Sequence, residues 1–416
     1  MASGRVQLAS VGIQDAFLTS DPQFTYFLKK YKRHTKFALE VIDNPVDGNI
    51  NFGSQVNCWV PRKGDLIHNV FLYIELSALS SISSPTSNIG YTDSIGHAII
   101  EYADIVIGGK TIQRITGEYM EIYSDLFVNN SQQAGLNQMI GKTGTLNGLG
   151  PATSANGYPK LLMIPLPFYF NGNESLSIPL SVIDKQDVQI RIKLRNLSDL
   201  IINTDNNLLN VPAPLDTVGT ITKLSVPIEY VFLSDDEITY MKSGPIDYIV
   251  SQLQVSRFVM ESGITTAQMQ LQFVNPVKEI FVVIQDQVTA NVNDMFNFTN
   301  TVTGLDQLAS LQLDFNGETR ISSDIANALY LRIVQPFSFH SKTPSRYFYT
   351  YSFALKPEEP FPSGQVNMSR IITKLLSLTT TASTTSREVR IYAVNYNILR
   401  INAGIAGVLF IDNNFI

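Results

Sequence analysis

The sequence predicts a mainly β protein: two tandem eight-stranded antiparallel jelly rolls with a few short helices and long loops. Three observations carry this. The first is strict alternation. VQIRIKL (188–194) puts Val188, Ile190, Ile192 and Leu194 on one face and Gln189, Arg191 and Lys193 on the other, and SLSIPLSVI (175–183) and QMQLQF (268–273) alternate likewise. That is the pattern of antiparallel sheets with one wet face. The second is an internal repeat: IVIGGKTIQRI precedes Thr116 and LQLDFNGETRI precedes Ser322, each an apolar strand, a Gly turn and an Arg-Ile pair, about 206 residues apart. The third is a count. Strand patterns at 50–60, 66–77, 98–107, 110–115, 161–170, 175–183, 186–195 and 223–233 give the first half roughly eight strands, the number a two-sheet jelly roll uses.

In chain order, residues 1–44 read as an N-terminal arm, 45–240 as the first jelly roll and 241–416 as the second. Gly108-Gly109 supplies the positive φ angles of a type I′ hairpin turn. In 116–128, Tyr119, Ile122, Tyr123, Leu126 and Phe127 share one helical face behind Thr116, a residue suited to the N-cap. The Gly-, Asn- and Thr-rich tract at about 129–160 is too long for a hairpin and reads as a large exposed loop. Charges, Gly244 and Pro245 place a hinge in 234–245. A second helix is expected over 322–337, capped by Ser322 or Ser323 and stopped by Pro336. After it, Tyr347, Tyr349, Tyr351, Phe353 and Leu355 alternate as a half-buried strand. KPEEPFPSG (356–364) then reads as a strand connection whose adjacent Glu358 and Glu359 are mostly solvated, since an acid and base pair needs two environments that push the carboxyls apart.

Several function classes are disfavoured. The longest apolar runs, 161–170 and 403–411, fall short of the roughly 20 residues of a membrane-spanning helix, and MASGRVQLAS lacks the apolar stretch of a secretory signal. One cysteine, Cys58, builds neither a disulfide framework nor a thiolate metal site. The triplets at Gly109-Lys110-Thr111 and Gly141-Lys142-Thr143 lack the first glycine of a phosphate-cradling loop, where Asp104 and Leu136 stand instead. His34, His68, His97 and His340 are scattered, with no zinc-site spacing, and there is no G-x-S-x-G elbow. No catalytic residue, cofactor or metal is expected. Five N-x-[ST] sequons occur, of which Asn129 is the candidate for an exposed glycosylation site.

Net charge is −6, which argues against direct nucleic-acid binding, yet its distribution is uneven. Residues 1–36 carry Arg5, Lys29, Lys30, Lys32, Arg33 and Lys36 against Asp15 and Asp21, a net +4, so the remainder carries −10. Phe24, Tyr26, Phe27, Tyr31 and Phe37 interleave with these cations. Such a segment can pack its rings on the first jelly roll and turn cations to an anionic surface.

Four motif groups in order make the chain resemble the major capsid proteins of nucleocytoplasmic large DNA viruses. They are QDAFLTSDPQFTYF with YKRHTKF; GDLI, then IGG with GEYMEIY; IPLPFYF before a second strand; and YSFALKPEEPFPSGQVNMSRI with IYAVNYNILRINAGIAGVLF. The tracts 129–160 and 379–386 match nothing in that pattern. The resemblance implies a homotrimer forming a pseudo-hexameric capsomer, many copies of which tile an icosahedral shell over an internal membrane and a double-stranded DNA genome. Its implied partners are itself, neighbouring capsomers, minor capsid proteins, a penton protein and the internal viral membrane. Lys29, Lys30, Lys32, Arg33 and Lys36 would face the inner side. The implied location is the virion capsid, assembled in a viral factory of the host cytoplasm. A carbohydrate-binding or cupin-like jelly-roll protein and a trimeric receptor-binding spike are the alternatives.

Overall fold

Alternating burial is the first thing the computed structural model, which describes residues 3–28, 31–85, 88–142, 160–205 and 211–410, shares with the sequence pattern. The chain forms two compact units, 1–36 and 37–416. In the first, two short helices, Ser3–Ala9 and Ile13–Thr19, bury no residue.

The second unit opens with strands β1 (Phe37–Pro45), β2 (Gln55–Trp59), β3 (Leu66–Leu76), β4 (Ile89–Tyr91), β5 (Ile100–Ile107) and β6 (Lys110–Thr116). It continues with β7 (Lys160–Pro165), β8 (Ile178–Pro179), β9 (Val188–Leu194), β10 (Ile201–Asn203) and β11 (Ile221–Leu233). They make two sheets, β1-β11-β3-β7 and β2-β9-β5-β6, with β8 beside β3 and a small β4-β10 ribbon. The second half holds β12 (Ile246–Met260), β13 (Thr266–Gln270), β14 (Pro276–Asp286), β15 (Leu308–Phe315) and β16 (Glu318–Ile321). After these come β17 (Tyr349–Ser352), β18 (Val366–Asn367), β19 (Lys374–Thr380), β20 (Arg387–Asn402) and β21 (Ile405–Val408). Its sheets run β12-β20-β14-β17 and β13-β19-β15-β16. With the short β4, β8, β10, β18 and β21 set aside, each half orders its eight main strands first-eighth-third-sixth in one sheet and second-seventh-fourth-fifth in the other. The two halves therefore share one topology, as the internal repeat implied.

The repeat's landmarks sit at equivalent places. Gly108 and Gly109 turn at φ 56° and 79° between β5 and β6, and Asn316 and Gly317 at 52° and 89° between β15 and β16. Thr116 caps the helix Gly117–Leu126, its hydroxyl accepting from the Tyr119 amide at 3.3 Å. In β9, Val188, Ile190, Ile192 and Leu194 are buried and the intervening polar residues are not.

Several expectations need correction. The tract 129–160 opens with a helix, Asn130–Ile140, because Leu136 and Ile140, four apart, bury on one face, and Gly141 at φ 71° ends it. Residues 143–159 of that tract lie outside the described residues. The patterns at 161–170 and 175–183 yield only β7 and the two-residue β8, since Pro165, Pro167 and Pro179 cannot donate ladder hydrogen bonds. Residues 37–44, read as the end of the arm, instead form most of β1 along β11. The second helix starts later than expected and runs through Pro336: a π turn at Tyr330–Val334 widens the helix just before Gln335–Phe339, where the proline has no N–H to offer. That helix covers Thr350 and Ser352, so the polar face of 347–355 is the more buried one, with Thr350 bonded to Leu331 O and the Ser352 amide to Gln335 Oε1.

Gly117 joins β6 to its helix where a Cβ would lie 2.1 Å from His97 O and 2.3 Å from Ile100 O, both backbone atoms that cannot swing away. Gly117→Ala is expected to cost several kcal/mol, roughly 3 or more. Urea denaturation checks this, and a loss under about 1 kcal/mol would contradict it.

Candidate functional site

The described residues form several contact surfaces, beginning with the seam between the halves. Strand β14 is buried on both faces, as is most of β20. Ile280, Val282, Ile284, Ile391 and Ala393 fill the second half's own core, whereas Phe281, Val283, Tyr392 and Val394 belong to a core shared with the first half. They meet β6 and the helix Gly117–Leu126: Tyr119 packs on Phe281 at 6.3 Å, Gln252 donates to Ile112 O at 2.7 Å, and Arg390 pairs with Glu118 at 2.8 Å.

At one end of the seam Arg346, from the loop between the helix Gln335–Phe339 and β17, lies wholly inside. Its Nε donates to Glu121 Oε1 at 2.9 Å and its Nη2 to Asp93 Oδ2 at 3.1 Å, both carboxylates of the first half, while its backbone N–H donates to Asp125. Lys142 and His97 also reach Glu121, each at 2.8 Å. Burial alone would push Glu121 up, but Arg346, Lys142 and His97 hold its carboxyl well below the usual range. Asp294 sits nearby with Asn297 donating to Oδ2 at 2.7 Å, and its Oδ1 accepts no hydrogen bond from a described residue. Burial pushes this carboxyl up from 3.8 to about 7, against the Asn297 hydrogen bond and the Arg346 charge.

Two other surfaces are left open. The outer face of the β1-β11-β3-β7 sheet presents Phe37, Leu39 and Val41, each more than half exposed, in line with Val231, Phe71 and Tyr73. On the second half, the flank equivalent to β6 and its helix exposes Ile325 at 58%, Leu329 at 65% and Phe337 at 80%. Its counterpart in the first half is covered by β12, β14 and β20.

The cationic arm is placed plainly. Lys32, Arg33 and Lys36 are exposed in a stretch without regular secondary structure, and Lys29 and Lys30 lie outside the described residues. The rings of Phe24, Tyr26, Phe27 and Tyr31 are 69% to 99% exposed. Asn129 is exposed just before the helix Asn130–Ile140. Glu358 and Glu359, treated alike in the sequence, differ: Glu359 is exposed beside Lys356, whereas Glu358 accepts from the Ser341 amide and hydroxyl at 2.7 and 3.0 Å. Burial of Cys58 pushes its thiol up to about 12, which makes it inert. Among the described residues no group of three or more His, Cys, Asp or Glu could hold a metal ion, and no helix is long and apolar enough to cross a membrane. The seam residues Arg346, Glu121 and Asp93 were not singled out from sequence. Only the charged SKTPSRY run (341–347) between apolar elements signals them.

Two jelly rolls of one strand order, joined through a shared core and leaving one sheet face and one flank open, define a double jelly-roll building block. Residues 25–234 match the family model described as major capsid protein N-terminus, and residues 237–407 the one described as large eukaryotic DNA virus major capsid protein. The major capsid protein of Pyramimonas orientalis virus is 30% identical over 433 residues, covering 99% of this chain and 100% of its own. That of Phaeocystis pouchetii virus is 28% identical over 531 residues, with 99% and 100% covered. The quasi-atomic model of the PBCV-1 virus capsid superposes with a TM-score of 0.76 at 25% identity, covering 93% of this chain and 100% of that one. The Faustovirus major capsid protein, at 14% identity, shares the fold with a TM-score of 0.76 over 94% of each chain. The chain belongs to the major capsid protein family of large eukaryotic DNA viruses.

Asp294 makes seam stability pH-dependent. Its folded-state carboxyl titrates above the unfolded one, so its contribution is full below about 4 and is lost as pH rises through about 7, by about 1.4 kcal/mol per pH unit between. Asp294→Asn should therefore gain on the wild type by roughly 1–3 kcal/mol between pH 5 and 8 in urea denaturation. A constant difference across that range would refute the assignment.

Proposed function

We propose that this chain is the structural subunit of an icosahedral shell of a large double-stranded DNA virus, three copies closing into a pseudo-hexameric capsomer. One observation carries the reading: the flank covered inside the chain has an uncovered twin. In the first half, β6 and its helix pack under the sheet of β14 and β20. In the second half, the equivalent β16 and helix region exposes Ile325, Leu329 and Phe337. The equivalent sheet, β1-β11-β3-β7, exposes Phe37, Leu39 and Val41. Continuing the internal contact to the next copy joins this open flank to that open sheet. Such a contact is heterologous, and rings form when its rotation closes, here after six half-units and three chains. Capsomers then tile a shell in the virion, assembled in the host cytoplasm, with minor capsid proteins, a penton protein and an inner viral membrane as partners. Asn129, exposed in the short link between the helices Gly117–Leu126 and Asn130–Ile140, is the position where a sugar would attach.

Light scattering is expected to give a mass near three times 46.2 kDa. Leu39→Asp and Leu329→Asp should each break the ring while leaving the circular dichroism of the fold unchanged. Because each variant spoils a different partner of one contact, a mixture of the two should give heterodimers and no trimers. A stable wild-type monomer at micromolar concentration, or trimers in the mixture, would count against the scheme.

For the arm we propose that Lys29, Lys30, Lys32, Arg33 and Lys36 face an anionic surface on the inner side of the shell, lipid headgroups or acidic minor capsid proteins. The exposed rings beside them suit an interfacial position. Each cation near an anionic bilayer contributes on the order of 1 kcal/mol, and three chains act together. Replacing Lys29, Lys30 and Lys32 by Gln should leave trimers intact and weaken salt-sensitive binding to anionic liposomes. Wild-type trimers that ignore such liposomes at low salt would exclude the membrane as this surface.

A further inference from the structure

The strand connection 356–364 crosses the seam at a cluster that neither the assembly reading nor the Arg346 network uses. His340 has a side chain 1% exposed and is flanked at both ring nitrogens by carboxylates: Nε2 lies 3.5 Å from Glu279 Oε2, and Nδ1 lies 3.5 Å from Glu358 Oε1. The imidazole stands edge-on to Phe127 of the first half, with centroids 5.2 Å apart. Glu279, on β14, is 1% exposed, and neither of its carboxylate oxygens accepts a hydrogen bond from a described residue. Lys278 Nζ is 3.8 Å from Glu279 Oε1, beyond hydrogen-bonding distance, and donates to Pro357 O of the connection at 2.6 Å. His340 also lines a cavity with Asp125, Lys142, Lys342 and Arg346, and the other titratable groups that face Glu279 and Glu358 are phenols: Tyr119 and Tyr123 on the helix Gly117–Leu126, and Tyr396 on β20. Burial pushes all three upward, so they stay neutral and bring no charge.

Lys278 opposes Glu279 from 3.8 Å without a hydrogen bond, and Glu358, 28% exposed, adds a second negative charge beside the ring, so the Glu279 carboxylate is buried with no donor of its own among the described residues. A buried charge without a donor is expensive, and one proton from solvent removes it. Placed on Glu279 Oε2, that proton lets the carboxyl donate to His340 Nε2, while the ring's Nδ1–H is left to donate to Glu358 on the connection. We propose that His340, Glu279 and Glu358 form a proton-operated latch that pins the 356–364 connection across the seam between the two halves and releases it as the pH rises.

The electrostatics of the acid agree in direction. Burial raises the Glu279 carboxyl against the pull of Lys278 and His340. A carboxyl raised in the folded state contributes stability that is present at low pH and lost as pH climbs through its folded value. Glu358, by contrast, is held below the ordinary range: burial opposes this, but the nearby His340 ring and the Ser341 hydrogen bonds outweigh it. It remains the ionised anchor throughout. The latch acts within one chain and does not depend on how copies assemble.

Amide exchange read by mass spectrometry on the full chain tests it, with rates corrected for the intrinsic effect of pH. The Asp294→Asn background silences the seam acid that burial raises to about 7. Between roughly pH 5 and 9, the span in which buried glutamates titrate, protection of the peptide covering 351–364 is expected to fall at least tenfold more than that of β19. Glu279→Gln keeps the shape and removes the charge, so it should hold that protection flat across the range. His340→Gln should lower protection at pH 5 to the wild-type level at pH 9. Wild-type protection that does not change with pH, or a Glu279→Gln chain that loses protection as the wild type does, overturns the latch. Should His340→Gln fail to fold, the Glu279→Gln comparison decides alone.

Discussion

One buried guanidinium organises the seam. Arg346 spans from a loop of the second half to Glu121 and Asp93 of the first, and its own backbone N–H holds Asp125. Removing one member of such a buried set strands the others in a medium that cannot solvate them, typically at a cost of about 3–5 kcal/mol. Apolar contact across the seam supplies the attraction, since Phe281, Val283, Tyr392 and Val394 lose their water there. Burial by itself is tolerant of small slides. The guanidinium is not, because its fixed fork must meet two carboxylates at once. It sets the relation between the halves and hence which surfaces remain outside.

That relation makes one repeat serve two purposes. The same flank and sheet meet within a chain and, in the proposed capsomer, between chains, yet the residues differ. Inside the chain the contact carries buried ions such as Arg390 with Glu118. The open twin offers aliphatic and aromatic side chains such as Leu39 and Leu329. A contact that forms once, during folding, can hold costly desolvated charges in an enforced register. One that forms by collision between separate molecules is better served by surface without that desolvation penalty.

Much of the fold was legible in the sequence, for specific reasons. The alternation of 188–194 reports a sheet with one wet face, and Gly-Gly and Asn-Gly report turns that other residues enter only under strain. What misled were places where tertiary context overrides a local pattern. Pro336 looked like a stop, but a π turn absorbs it. Thr350 and Ser352 looked solvent-facing, but a helix lies over them. The tract after Val128 looked like loop because its helix buries only Leu136 and Ile140. The seam was least legible of all. Arg346, Glu121, Glu279 and His340 are brought together by topology over long sequence separations, and apart from the charged run around Arg346 their local surroundings resemble those of solvated charges.

A strand buried on both faces also has a history during synthesis. The first half closes with β11, which ends at Leu233, so it can fold while the rest of the chain is still being made. The second half cannot: β20, which pairs with both β12 and β14, is not complete until Asn402. Until then β14 displays apolar side chains on two faces, an adhesive surface for any other unfinished chain. The finished first half, with β6 and its helix in place, offers the neighbouring apolar surface on which one of those faces can rest. The seam that later holds the tile rigid thus serves first as an internal chaperone for the half that is born second.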